Sequence, residues 1–198
     1  MRALIFCLLA WPAWVAAQQH EVALTLGRVS SPARNLAAGT LDLKGGTVLQ
    51  AVYGYRMLSG TAAALYANAG FVSVPLRDIR TAIPASTRDF ATLYVTPALT
   101  VKFRPGARVS PWLTGGAGYA LYEQSRERTD GQPNAAPRLI HRGQVMFGGG
   151  ADVKFLRWLA LRGEIRDFYT GSPAFNLPQS GGQHNVAVSG GVVVRFGD

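Results

Sequence analysis

The stretch Val186-Ala-Val-Ser-Gly-Gly-Val-Val-Val-Arg-Phe-Gly-Asp198 decides the fold. In an extended chain, successive side chains point to opposite faces. Val186, Val188, Gly190, Val192, Val194 and Phe196 therefore share one face. Asn185, Ala187, Ser189, Gly191 and Arg195 share the other, with Val193 the one apolar residue among them. A strand that is greasy on one side, small and polar on the other, suits a barrel with lipid outside and a polar interior. A soluble barrel needs the reverse.

The opposite end of the sequence fits export. Arg2 supplies a positive start, Ala3–Val15 an apolar run, and Val15-Ala16-Ala17 small residues before a cut ahead of Gln18. This is the pattern of a secretory signal peptide over residues 1–17, with the run too short to span a bilayer comfortably. Residues 18–198 are then expected to form one barrel domain with no further domain behind it. Cys7 is the only cysteine, so the exported part is expected to carry no thiol. After residue 17 no run approaches the roughly 20 apolar residues of a membrane helix. A membrane form must therefore be a closed barrel, because open sheet edges cannot be satisfied in hydrocarbon.

Period-two alternation recurs along the chain and predicts eight strands, near residues 20–29, 46–57, 61–73, 90–103, 109–123, 141–155, 157–169 and 183–197. Leu49, Leu99, Val145, Phe147, Leu161 and Ile165 are assigned outward. Gln50, Gln144, Asp152, Arg162, Glu164 and Arg166 are assigned inward. The first and fifth strands alternate less cleanly. Connections run long, short, long, short, long, short, long: the long ones cover 30–45, 74–89, 124–140 and 171–182, the short ones 58–60, 104–108 and the neighbourhood of Leu156. Long outer loops and short periplasmic turns give this rhythm. A β-sandwich would supply eight strands without requiring it. Aromatics near strand ends are expected to form two belts: Tyr53, Tyr55, Phe103, Trp112, Phe155, Trp158 and Phe196 on the periplasmic side, and Phe71, Tyr122, Phe168 and Tyr169 on the outer side.

The leader, the eight alternating segments and the closing Gly191-Val-Val-Val-Arg-Phe196 resemble the small eight-stranded outer-membrane β-barrels of the OmpA-barrel and OmpX type. The resemblance covers the whole exported chain and is one of pattern. It implies an all-β, antiparallel, up-and-down barrel in the bacterial outer membrane. It implies contact with outer-membrane lipid and lipopolysaccharide, and Phe196 as the aromatic signal read by the barrel-assembly machinery. Gly197 and Asp198 follow that residue, a departure from the usual terminal aromatic.

Chemistry-bearing motifs are sparse. The GxSxG elbow, the P-loop, HExxH and paired Cys/His spacings are absent. Gly148-Gly149-Gly150 and Gly115-Gly116-Ala117-Gly118 are not phosphate loops; in strands such glycines make room for close neighbours. His20, His141 and His184 fall at strand ends without metal-ligand spacing. No cofactor, metal or catalytic residue is expected. A lipid-A-modifying enzyme is the alternative, with His184, Ser189 and Glu164 as its candidate set. Ser189 lies five residues below His184, about 17 Å at the strand rise, and on the opposite face.

The inward row Arg162, Glu164 and Arg166 is the most informative charged cluster, with Glu164 expected to sit between the two guanidiniums. Together with Asp152 and Arg195, and with Gln144 and Asn185, it is expected to plug the lumen. An eight-stranded barrel is just wide enough for side chains to fill it. A narrow channel is the third reading, since polar groups at membrane depth are functional candidates. The net charge is +9. Much of it is assigned to the outer loops, through Arg77, Arg80, Arg88, Arg126, Arg128, Arg138 and Arg142. Lipopolysaccharide phosphates or a host or surface polyanion are the expected partners, and nucleic acid is not.

Overall fold

The computed structural model describes residues 20–36, 39–171, 173–177 and 181–197. The signal-peptide segment 1–17 lies outside them. Eleven strands are present, β1 (His20–Ser30), β2 (Arg34–Leu36), β3 (Gly39–Leu43), β4 (Gly46–Ser59), β5 (Ala63–Thr81), β6 (Asp89–Phe103), β7 (Val109–Gln124), β8 (Leu139–Lys154), β9 (Leu159–Gly171), β10 (Gly182–Gln183) and β11 (Val186–Phe196), with no helix among the described residues. The eight long strands form an antiparallel ring in the order β1-β4-β5-β6-β7-β8-β9-β11, and β11 closes on β1 from His20↔Phe196 to Ser30↔Val186. They match the eight expected segments to within a few residues, apart from the outer end of β5. The last expected strand, 183–197, is split into β10 and β11, both paired with β9.

Short turns join β4 to β5, β6 to β7 and β8 to β9 at the end that also holds His20 and Phe196. That end faces the periplasm in barrels of this design. The opposite end carries the longer connections. The first of these is not plain loop: β2 and β3 make a hairpin that pairs with the outer part of β5 through Leu41↔Thr81 and Leu43↔Ile79. Residues 74–81, expected as loop, are likewise strand. A bulge between Val74 and Arg77 breaks the alternation there. Pro75 has no N–H to give a ladder, so a bulge is where it fits. One extra residue reverses the alternation: Val72 and Val74 face inward before the bulge, Arg77 and Ile79 after it.

The outer wall is apolar where lipid would meet it. Leu24, Leu49, Phe71, Leu99, Val145, Phe147, Leu161, Ile165 and Val188 are all exposed. Tyr53, Phe103, Phe155, Trp158 and Phe196 form a ring at the periplasmic end, and Phe71 and Tyr169 lie nearer the other. Three belt assignments do not hold. Trp112, Tyr122 and Phe168 are at most 2 % exposed and point into the barrel. Directly paired residues share a face, and Trp112 pairs with inward Lys102, Tyr122 with Thr92 and Phe168 with Met146.

The facing sets a stability expectation. Leu161→Arg, with its side chain 54 % exposed on the wall, should destabilise the barrel by about 2–4 kcal/mol near the bilayer midplane. Thr96→Ser, which keeps the lumen hydroxyl, should change little. Denaturant unfolding in lipid vesicles, followed by Trp fluorescence, measures both.

Candidate functional site

The lumen is filled in three layers. Nearest the periplasm, two carboxylates are shared among three cations from five strands. Asp152 on β8 accepts Arg162 Nε at 2.8 Å and Nη2 at 3.1 Å, Lys102 Nζ at 2.8 Å and Arg195 Nη2 at 2.9 Å. Glu21 on β1 accepts Lys102 Nζ at 2.6 Å and Arg162 Nη2 at 3.1 Å. The Trp112 indole N–H donates to Asp152 at 3.2 Å. All five charged groups are buried. A carboxylate shared by bidentate guanidinium and ammonium donors is the strong kind of hydrogen-bond acceptor.

One layer further out, Glu164 takes Arg166 Nε at 3.2 Å and Nη2 at 2.8 Å on one oxygen. Its other oxygen accepts Thr25 at 2.9 Å, Gln50 at 3.1 Å and Ser189 at 3.1 Å. Glu164 is therefore not shared by two arginines as expected: Arg162 turns away to Asp152 and Glu21. The Trp112 ring lies between the two guanidiniums, 4.9 Å from that of Arg162 and 5.5 Å from that of Arg166. Room for the indole comes from Gly150, where a Cβ would stand 2.8 Å from the ring. At Gly148 a Cβ would come within 2.9 Å of Arg166 Cγ. Gln144, on β8, donates to Thr96 on β6 across Gly118 of β7.

The outermost layer is apolar, which the sequence reading did not foresee. Val29, Val48, Val72, Phe90, Tyr94, Tyr122, Met146 and Phe168 pack there. Tyr94 stacks on Phe168 with centroids 4.7 Å apart. Leu41 and Leu43 from the β2–β3 hairpin and Phe175 and Leu177 from the last outer loop close it from above. Phe175 meets Phe90 at 4.7 Å.

The outer arginines divide. Arg77 is not a loop residue: it lies on β5, 2 % exposed, bonded to Asn185, Ser31 and the Lys44 carbonyl. The bulge before it turned it inward. Arg142 is a half-buried strand residue on β8. Arg88 pairs with Glu127, Arg128 with Asp130 at 2.6 Å, and Arg138 with Glu123. Arg80 and Arg126 are exposed.

The three residues of the enzyme alternative do not meet as a relay. Ser189 is buried in the lumen and donates to Glu164. His184 is on the outside, its Nδ1 2.6 Å from Asp167 and its ring 4.7 Å from that of Tyr169. Phe196 is exposed on the wall and stacks on His20 at 5.5 Å.

Sequence reasoning passed over Glu21 and Lys102 as site residues. Lys102 was on the polar face of its strand, so its address was legible. Which carboxylates it meets depends on strand register, which alternation does not encode.

No protein-family model and no curated protein matches the chain. Solved structures do. Neisserial surface protein A aligns over 91 % of this chain and 97 % of its own, at 13 % identity and a TM-score of 0.57. The outer membrane protein OprG from Pseudomonas aeruginosa aligns over 92 % and 98 %, at 10 % identity and 0.59. The attachment invasion locus protein Ail of Yersinia pestis aligns over 89 % and 98 %, at 15 % identity and 0.51. The chain has the fold of the small eight-stranded outer-membrane β-barrels. With its apolar wall and aromatic ring, that fold locates it in a bacterial outer membrane.

Asp152→Asn should cost more stability than Glu164→Gln. The first unbalances three buried cations, the second only Arg166. Breaking a buried pair costs about 3–5 kcal/mol because the remaining charge stays buried. Unfolding midpoints of the two variants in the same vesicles test the order.

Proposed function

We propose that this protein is a closed-lumen outer-membrane barrel that acts by contact at the cell surface, without catalysis and without passing solutes. The observation that carries the reading is the filled lumen: an ionic layer, a polar layer and an aromatic layer follow one another, capped by Phe175 and Leu177. An eight-stranded barrel has little interior beyond what side chains occupy. Of the solved structures sharing the fold, one bears the name of a surface protein and one of an attachment invasion locus protein. Surface contact is thus a role this fold accommodates. Phe196, outward at the periplasmic end, remains the proposed assembly signal.

Lipid-A modification would need a nucleophile beside its base, and the wall between Ser189 and His184 speaks against that set. Conductance is the discriminating measurement for the channel reading. The purified barrel in a planar bilayer should give no steady single-channel steps, and steps lost when the ionic layer is altered would establish a channel instead.

The surface partner we propose is phosphate-bearing: lipopolysaccharide or another polyanion at the outer rim. Arg88, Arg128 and Arg138 already have carboxylate partners, but exposed pairs are worth only about 0–1 kcal/mol and exchange readily. Replacing Arg126, Arg128, Arg138 and Arg142 with Gln should lower retention on heparin or on lipopolysaccharide vesicles, and added salt should weaken retention of the parent. Equal retention before and after would make these residues a solvated face.

A further inference from the structure

A second cluster of cations lies at the other end of the barrel. A cavity of about 710 Å³ opens at the periplasmic mouth, between the turns at residues 59–61, 104–107 and 154–157. Arg56, Arg104, Lys154, Arg157 and Arg195 line it, with Tyr66, and no carboxylate of the described residues does. Glu21 and Asp152 are buried in the ionic layer behind it and already engaged there. Arg195 joins the two: it is 8 % exposed, its Nη2 holds Asp152 at 2.9 Å, and its Nε pairs with Glu21 at 3.6 Å. Lys154 Nζ has a carbonyl partner, Gly106 at 2.7 Å, which leaves its charge unbalanced. Arg104 holds a left-handed backbone, φ 47, to close its turn, a conformation that costs a side-chain-bearing residue free energy.

Arg104, Lys154 and Arg157, which the short turns bring to one concave, partly desolvated mouth, repel each other and focus their field into it. We infer that this mouth is a binding site for a ligand carrying more than one phosphate charge. Guanidinium forks match phosphate oxygens bidentately, and the volume is within the range of small-molecule sites. The same chemistry has two sources. The ring of Phe103, Phe155, Trp158 and Phe196 sets this end at headgroup level, so an anionic phospholipid of the inner leaflet is one. A soluble oligophosphate from the periplasm is the other. The site does not depend on the closed lumen: a channel would carry the same mouth.

The test uses the folded barrel in nanodiscs of zwitterionic phosphatidylcholine, titrated calorimetrically with inorganic tripolyphosphate. Saturable, salt-sensitive binding is expected. Arg104→Gln with Arg157→Gln should weaken it at least tenfold, whereas Arg80→Gln with Arg126→Gln at the outer end should leave it unchanged. Heat-dependent gel mobility checks folding; if the first pair does not fold, Lys154→Gln with Arg157→Gln replaces it. Adding phosphatidylglycerol to the nanodisc should lower tripolyphosphate affinity in the parent if the lipid is the occupant. Unchanged affinity would assign the site to a soluble phosphate. No binding, or equal binding by parent and mouth variants, overturns the inference.

Discussion

Everything in this structure depends on the pairing of β1 with β11. In hydrocarbon no water is available to an unpaired backbone N–H or C=O, and each one costs several kcal/mol. The ladder from His20↔Phe196 to Ser30↔Val186 removes the two edges a seven-hairpin sheet would otherwise leave. Closure then fixes facing. Once β11 lies beside both β1 and β9, Val188 and Val192 must point to lipid and Ser189 and Arg195 to the lumen. The apolar wall is what makes such a ring stable in a bilayer and unstable in water.

Closure also forces polar groups together in a space too narrow for water to screen them well. Burying a charge is expensive unless it is paired and fully hydrogen-bonded. The lumen meets this by sharing. Asp152 and Glu21 each answer the same three cations, Lys102, Arg162 and Arg195. Glu164 answers one guanidinium and three neutral donors. Above Arg166 the solution changes from pairing to exclusion. Tyr94, Phe168 and Met146 fill the section with apolar volume and need few partners. Tyr122 spends its hydroxyl on Thr170 at 2.6 Å.

Much of the fold was legible because a side-chain period of two survives translation into structure. The outward row of β8 and the inward row of β9 stand as the alternation placed them. What was not legible has two physical causes. A bulge is a one-residue event with a large consequence: Pro75 and Leu76 reverse the parity of β5, and Arg77 passes from the expected outer loop into the interior. Register is the second. Alternation says that Trp112 belongs to a face but not that it lies opposite Lys102, and an aromatic ring near a strand end suggested the membrane belt. The same gap separated Arg162 from its partners, since Glu164 is its neighbour in sequence while Asp152 is directly across the ladder. The hairpin β2–β3 was hidden for a further reason. Its strands are short and packed only by the outer end of β5, so they leave little periodic trace.

Net charge is a poor guide to where an anion would be held. At the outer rim the arginines come with acids nearby: Arg88 near Asp89 and Glu127, Arg138 beside Glu123, Lys44 beside Asp78. These pairs offset part of the rim's charge, while Arg80 and Arg126 stand exposed beside them. At the periplasmic mouth the charged lining residues among those described are all cations, and one of them, Arg195, is shared with the ionic layer behind it. The fold concentrates this charge: short turns bring Arg104, Lys154 and Arg157 to one rim, and the low-dielectric wall keeps their field from spreading. Where charge gathers therefore follows from which residues the ring places side by side, and the sequence order of Arg104, Lys154 and Arg157 does not show it.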